Sequence, residues 1–233
     1  MFRELIKTLC AVALCIAALP TVSAMASQDE TSLPKNSNLP AVDMSQEDLV
    51  ANHLTAINIG DVDLPSGYIV ATDPISQPDM AAFSVAVTPG HYPVTLYKTP
   101  HHISVAAIRL ASGHVTHWKV ATVPAQDAIA LASDDASYYE VNAGLGCFMD
   151  KTAVTFLKQR QKHEQATNKH YEDDYFGNVL LPELEHHGDL YAIHHPLPQS
   201  PSIAVFQVLD GGYISYWGLD DQGRAVVLAT DFN

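Results

Sequence analysis

Four aspartates beside predicted turns are the side chains in this sequence that are best placed for acid–base chemistry or cation binding. Asp73 precedes a proline and Asp150 precedes a predicted helix. Asp210 and Asp220 belong to two turns near the C-terminus. Carboxylates that meet in a fold can bind a hard cation through oxygen or act as general acid and base. Turns and helix caps also favour aspartate, so a structural role is the stronger expectation, and Asp73, Asp150 and Asp210 are the candidate catalytic residues.

Histidine is abundant, with 12 copies, and could supply metal ligands. Six of the histidines form the adjacent pairs His101-His102, His186-His187 and His194-His195. Neighbours on a strand point to opposite faces, so a metal site needs one member from each of several pairs together with an acidic residue. His186, His194 and Asp189 are the candidate ligands. Because the sequence has no H-E-x-x-H motif, surface histidines are the stronger expectation; no cofactor is predicted, and a divalent cation is the alternative.

Nucleophile and phosphate-binding motifs are absent from the sequence. It contains no G-x-S-x-G and no P-loop, and Gly144-Leu145-Gly146 lacks the third glycine of a dinucleotide-binding loop. Cys147 lies in the apolar run AGLGCFM and is predicted to be a buried hydrophobe rather than a nucleophile. It is the single cysteine after residue 26, so we expect the core, and not an internal disulfide, to stabilise the fold.

Aromatic residues near the C-terminus give a candidate binding surface. Tyr213, Tyr216 and Trp217 lie on one predicted strand, and Asp220 follows it. Tyr and Trp are enriched where proteins bind each other, so these four residues are the candidate contact surface. The alternative is that they are ordinary strand formers.

Residues 1–26 have the pattern of a signal peptide. Arg3 and Lys7 precede an apolar run over residues 9–19, Pro20 ends the run, and small residues allow cleavage after Ala24 or Ala26. The run is short for a bilayer, so no stable membrane anchor is expected after cleavage. The sequence therefore predicts export, to a periplasm or out of the cell.

The chain is acidic, with 12 Lys and Arg against 26 Asp and Glu and a net charge of −14. Such a charge repels nucleic acid and anionic lipid, so neither is expected as a partner. It suits a basic protein or a cation, and simple solubility is the alternative explanation.

Short apolar runs between turn signals predict the strands that must position these residues. They cover residues 68–71, 82–87, 92–97, 103–110, 115–122 and 138–141, and then 203–209, 213–217 and 225–230. The last three predict a C-terminal meander, and a meander needs the rest of the chain to cover one of its faces.

Two helices and one domain complete the prediction. Ser45 is expected to cap a short helix, and Asp150 to start the main helix, which continues to about Asn168. Residues 27–47 are polar and predicted to be flexible, and residues 48–233 are enough for a single domain. The predicted class is α+β and mainly β, with antiparallel sheets that form a sandwich or a partly open barrel around one main helix.

Four motifs appear in order along the chain and carry a family resemblance. They are GYIVATDP (67–74), PGHYPV (89–94), VNAGLGCFMD (141–150), and a last set with DGGY (210–213), YWGLD (216–220), Gly223 and the terminal Asp231-Phe232. Over about residues 67–232 the chain resembles the bacterial DUF4241 family, whose function is unknown. The chain departs from the family pattern at Leu209-Asp210-Gly211 and at Asn142-Ala143-Gly144. The resemblance implies no reaction.

The leading hypothesis from the sequence is an exported binding protein without catalysis, in the manner of an immunity protein or an enzyme inhibitor that neutralises another protein. Export, acidity and the lack of a catalytic motif favour it. The alternative is a hydrolase of unknown substrate whose carboxylate or metal site uses Asp73, Asp150 and Asp210.

Overall fold

The computed structural model describes residues 33–124, 139–167, 175–186 and 191–233, which contain eleven strands. The strands are β1 (Thr55–Leu64), β2 (Ile69–Thr72), β3 (Gly90–Lys98), β4 (Ile103–Arg109), β5 (His117–Val120), β6 (Tyr139–Val141), β7 (Leu145–Asp150), β8 (Tyr191–His194), β9 (Ile203–Gln207), β10 (Gly211–Leu219) and β11 (Ala225–Asp231). The helices are a 3-10 helix (Leu39–Asp43), α1 (Gln46–Ala51), α2 (Ala153–Thr167), a π-helix (Phe176–Leu180) and α3 (Leu181–His186). The predicted signal peptide lies outside the described residues.

The strands form two antiparallel sheets that share one core. Sheet 1 has the order β1-β3-β4-β11-β10-β5, and β6 also pairs with β10. Sheet 2 has the order β2-β7-β9-β8. Residues of both sheets belong to one buried apolar cluster, which includes Trp217 of sheet 1 and Phe148 and Phe206 of sheet 2. The predicted α+β, mainly β class is confirmed, and the sheets form a sandwich rather than a closed barrel.

Alternation along the strands places side chains in different layers. On β7, Phe148 enters the core between the sheets, whereas Cys147 faces the outer side of sheet 2. On β11, Leu228 enters the same core, whereas Val227 and Ala229 face the outer side of sheet 1. All five side chains are buried, so these central strands are covered on both faces.

Helical segments provide the cover on the two outer faces. Leu157 of α2, Leu180 of the π-helix and Leu184 of α3 pack in the cluster on sheet 2. The 3-10 helix and α1 cover sheet 1 through Leu39 and Leu49. None of the helices in the described ranges is long and apolar enough to span a membrane.

The N-terminal cover differs from the flexible segment predicted for residues 27–47. Leu39 is fully buried, and Arg109 on β4 donates to the carbonyl of Val42 (2.6 Å) and to the carboxylate of Asp43 (2.8 Å). The helix that follows begins as predicted, because the Asp48 N–H donates to the Ser45 hydroxyl at 3.1 Å. The packed part of the chain therefore reaches back at least to Leu39.

Two strand predictions were wrong, and three strands were missed. The predicted C-terminal meander does not form, because β9 pairs with β7 and β8 in sheet 2, whereas β10 and β11 pair in sheet 1. Residues 82–87 make isolated backbone hydrogen bonds, such as that from Phe83 N–H to the Ile69 carbonyl, without forming a strand. Strands β1, which is 10 residues long, β7 and β8 were not predicted.

Candidate functional site

Asp73 is a buried carboxylate that holds two turns together. One oxygen accepts from the N–H groups of Ile75 (2.9 Å) and Ser76 (3.0 Å). The other accepts from the N–H groups of Asn142 (3.0 Å) and Ala143 (2.7 Å), in the turn between β6 and β7. Asp73 has four backbone donors on its two oxygens and no exposure to solvent. Its role is therefore to stabilise the two turns.

Asp210 binds the same turn, although it follows the turn in the sequence whereas Asp73 precedes it. Its Oδ1 accepts from the Gly144 N–H at 2.9 Å, next to the two N–H groups that Asp73 binds. The structure therefore brings Asp73 and Asp210 to one turn. Both carboxylates accept hydrogen bonds from peptide N–H groups of this turn. These bonds explain an aspartate at each position without a catalytic role.

The carboxylate of Asp150 accepts four hydrogen bonds in a different part of the fold. Its Oδ1 accepts from the N–H and hydroxyl of Thr152, and its Oδ2 from the N–H and hydroxyl of Ser66, all within 2.6–2.8 Å. Asp150 pairs with Ile69 at one end of the β2–β7 ladder, and Asp73 follows the last paired residue, Thr72, at the other end. The three candidate catalytic aspartates are thus not assembled into one site.

The predicted contact surface lies in the interior. Tyr213, Tyr216 and Trp217 are all less than a tenth exposed, and Trp217 is 1% exposed. Asp220 is also buried; it accepts from the N–H groups of Gln222 and Arg224 and pairs with the Arg224 guanidinium at 2.7 Å. Hydrogen bonds from Arg224 hold the pKa of Asp220 below its ordinary value. These residues therefore close a turn and fill the core, and they are not available as a contact surface.

His194 is buried and forms a polar cluster with Glu183, an acidic residue that the sequence places near the histidine pairs, and with Tyr175, which the sequence did not indicate. Its Nε2 lies 2.6 Å from the Tyr175 hydroxyl and its Nδ1 lies 2.6 Å from Oε2 of Glu183. Burial lowers the pKa of His194, against the opposing effect of Glu183, and burial raises the pKa of Tyr175. Because both ring nitrogens are occupied, His194 has no lone pair free for a metal.

Of the other two predicted metal ligands, one lies at a helix end and one outside the described residues. His186 is the last residue of α3, and Asp189 lies outside the described residues. In the ranges that the structure describes, no group of three or more His, Cys, Asp or Glu side chains is arranged to hold a metal ion.

An open pocket of about 450 Å³ lies where β1, β3, α2 and the loop before β9 meet. Its lining consists of Asp63, Leu64, Pro65, Gly90, His91, Phe156, Gln199, Ser200 and Pro201. Leu64, Pro65, Phe156 and Pro201 make most of this lining apolar, and Asp63 and His91 provide its ionisable groups. The size is within the range of small-molecule sites.

Asp63 and His91 form a hydrogen-bonded pair at this pocket. Oδ1 of Asp63 lies 2.5 Å from Nδ1 of His91, and Oδ2 accepts from the Ser202 N–H at 3.1 Å. The Asp63 N–H donates in turn to the Ser202 hydroxyl at 2.9 Å. Partial burial opposes the charged form of Asp63, but the hydrogen bonds from Ser202 and His91 outweigh it and hold the pKa of this carboxyl below its ordinary value.

Strand register explains why these two side chains meet. Asp63 on β1 lies directly opposite His91 on β3, so their side chains leave the same face of sheet 1 as a cross-strand pair. The pair was missed because β1 was not predicted. The available signal was His91 itself, which lies in the PGHYPV motif, together with the alternating Asp61 and Asp63 in the run TAINIGDVDL.

Comparison with known proteins identifies a family but no function. A family model described as a protein of unknown function (DUF4241) matches residues 62–230. The match includes Asp63, His91 and the aspartates at the turns. No curated protein matches the chain, and no solved structure matches it.

Proposed function

The chain belongs to the DUF4241 family, and from this premise we propose that it is an exported binding protein that recognises a basic protein partner through the pocket beside Asp63 and His91. The protein would act by occupying part of its partner, as an inhibitor or immunity protein does. The observation that carries the proposal is the pocket itself, which combines apolar walls with a carboxylate at its edge.

The lining of the pocket indicates what could occupy it. Pro65 is exposed and Phe156 and Pro201 are partly exposed, so they offer an apolar contact to a side chain that enters from solvent. Asp63 remains 27% exposed beside them. An apolar side chain next to a Lys or Arg would fit both features, because the apolar part is desolvated and the cation approaches the carboxylate.

The charge of the whole chain supports a basic partner. The net charge of −14 attracts a cationic protein at long range and accelerates its association, with an effect that salt weakens. The buried carboxylates of Asp73, Asp150 and Asp220 are committed to internal hydrogen bonds. Recognition through a carboxylate therefore falls to groups such as Asp63 that still reach solvent.

Substitution of Phe156 on α2 tests the proposal. The full chain is immobilised and exposed to periplasmic extract, and captured proteins are quantified by mass spectrometry for wild type, Phe156→Lys and the matched control Thr155→Lys. Both variants add one positive charge to α2, but Phe156 lines the pocket and Thr155 is an exposed neighbour outside it.

We expect a basic protein to be captured by wild type and Thr155→Lys, and its recovery to fall at least about tenfold with Phe156→Lys, as for a residue at the centre of an interface. Urea unfolding of each protein checks that the fold is retained. Equal capture by both variants, or no specific capture by wild type, would contradict the proposal.

A further inference from the structure

We propose that Asp63 and His91 form a proton-transfer pair that gives this pocket hydrolytic activity toward carboxylic esters with a small apolar acyl group. The inference goes beyond the proposed function: it uses the same pocket but requires no protein partner. It also differs from the hydrolase site expected from the sequence, because it uses none of Asp73, Asp150 and Asp210.

The first argument is the orientation of the imidazole. An ionised carboxylate only accepts hydrogen bonds, so the 2.5 Å contact from Asp63 Oδ1 places the proton of neutral His91 on Nδ1. The lone pair then lies on Nε2. In the described part of the chain Nε2 of His91 has no hydrogen-bond partner, and the side chain is 75% exposed beside the pocket.

The second argument is that the carboxylate is itself held in place. Ser202 binds Asp63 twice, through its N–H to Oδ2 and through its hydroxyl to the Asp63 N–H. The β1–β3 register fixes the two backbones on either side. A general base oriented by a third group, which is in turn fixed, is the arrangement that proton-transfer sites need.

Two other histidines show what this arrangement adds. His114 is exposed and lies 4.0 Å from Asp43, but that carboxylate is bound by Arg109 and by the Val115 N–H, and His114 does not line the pocket. His194 has a carboxylate partner, but its second nitrogen is bound to Tyr175 and it is buried. His91 combines an orienting carboxylate, an open nitrogen and a cavity.

The chemistry uses water as the second reactant. Nε2 of His91 takes a proton from a water molecule as the water oxygen bonds to the ester carbonyl carbon, giving a tetrahedral intermediate and an imidazolium. The bond from carbon to the alkoxy oxygen then breaks, and the imidazolium returns the proton to the leaving alkoxide. The products are one carboxylic acid and one alcohol, and His91 returns to its neutral form.

The cavity favours a particular substrate class. A volume of about 450 Å³ with Leu64, Pro65 and Phe156 in its walls suits a short apolar acyl chain better than a charged one. Asp63 is a positioning residue, because it acts through His91 rather than on the ester.

The test measures hydrolysis of p-nitrophenyl butyrate by the full chain, with the acid product confirmed by mass spectrometry. We expect His91→Gln to lower kcat/KM about 100-fold, in the range of general-base catalysis. Asp63→Asn should lower kcat with little change in KM, a split that a merely structural role would not produce. The matched control His114→Gln should keep wild-type kinetics.

Retention of half or more of the wild-type activity by His91→Gln, or no turnover by wild type above the rate in buffer without protein, would overturn the inference. Its failure is distinguishable from failure of the proposed function. Partner capture without turnover would remove the hydrolytic activity alone, whereas turnover without capture would remove the protein partner alone.

Discussion

Asp73 shows, at the scale of single residues, how a carboxylate can be buried without being chemically active. Four peptide N–H groups surround its two oxygens, so the fold replaces the water that the ionised form would otherwise bind. Asp210 uses one oxygen for the adjacent N–H of Gly144, at an exposed position. The two residues therefore do the same task with very different burial, which makes them a matched pair for mutation.

Replacement of Asp73 by asparagine should destabilise the fold much more than the same change at Asp210. In Asp73→Asn the amide NH2 would face two N–H donors and leave them without an acceptor, so we expect a loss of about 3 kcal/mol or more in the free energy of unfolding. Asp210→Asn keeps an acceptor oxygen at an exposed turn and should cost under about 1 kcal/mol. Urea denaturation measures both values, and equal losses would contradict the structural role given to Asp73.

Residue types predicted the roles of the turn aspartates better than those of the aromatics. Aspartates at turns and before a helix were expected to bind the backbone, and Asp73, Asp150 and Asp220 do so. Tyr213, Tyr216 and Trp217 were assigned to a surface, but they are buried. A strand covered on both faces carries apolar residues at successive positions, so the pattern of one strand could not show that helices cover the second face.

At the scale of secondary-structure elements, most strands of sheet 1 were easier to predict than the pairing between strands. The apolar run of β9 identified a strand, but nothing in it distinguished pairing with β10 from a crossover to β7 and β8 in the other sheet. Strand β1 was missed because TAINIGDVDL contains Asn58, Gly60 and two aspartates, which are unfavourable in strands. The register of β1 with β3 places Asp63 opposite His91. Because β1 was not predicted, the candidate site could not be predicted either.

Helix α3 is attached to β8 by a cluster that should respond to acid. His194 on β8 contacts Glu183 of α3 and the hydroxyl of Tyr175, the residue just before the π-helix. Burial lowers the pKa of His194, and the nearby positive charges of His195 and Arg160 act in the same direction, against Glu183. In the unfolded chain a histidine has a pKa of about 6.5. Below that pH the unfolded state therefore binds more protons than the folded state.

We predict that stability falls as pH decreases below about 6.5, because the folded protein resists protonation of His194 while the unfolded chain accepts it. Urea unfolding at pH 7.5, 6.5 and 5.5 measures the slope, and hydrogen exchange should show α3 opening first. His194→Gln, which cannot take up the proton, should flatten this slope, whereas His114→Gln should not, because His114 is exposed. An unchanged slope in His194→Gln would contradict this assignment.

At the scale of the whole molecule, the described residues form four layers, two sheets with a helical cover on each outer face, and the N-terminal cover was poorly predicted. The mainly β class and the main helix were predicted, since α2 spans Ala153–Thr167 inside the expected range. The covering role of residues 39–43 was not, because their polar and proline-containing surroundings resemble a linker. Leu39, Ala41 and Val42 share a buried cluster with residues far along the chain, such as Val227, and local sequence carries no sign of such long-range packing.

The boundary of the domain can be tested by two truncations. A chain that begins at residue 33 keeps the 3-10 helix, whereas one that begins at residue 45 keeps the Ser45 cap but loses Leu39, Val42 and the partners of Arg109. Burial of a Leu or Val side chain contributes about 1.5–3 kcal/mol, so the shorter chain should lose about 4 kcal/mol of a total that is commonly 5–15 kcal/mol. Urea midpoints measure the loss, and dye binding to the uncovered face of sheet 1 should increase. Equal midpoints for the two chains would place the start of the domain near residue 48, as the sequence alone predicted.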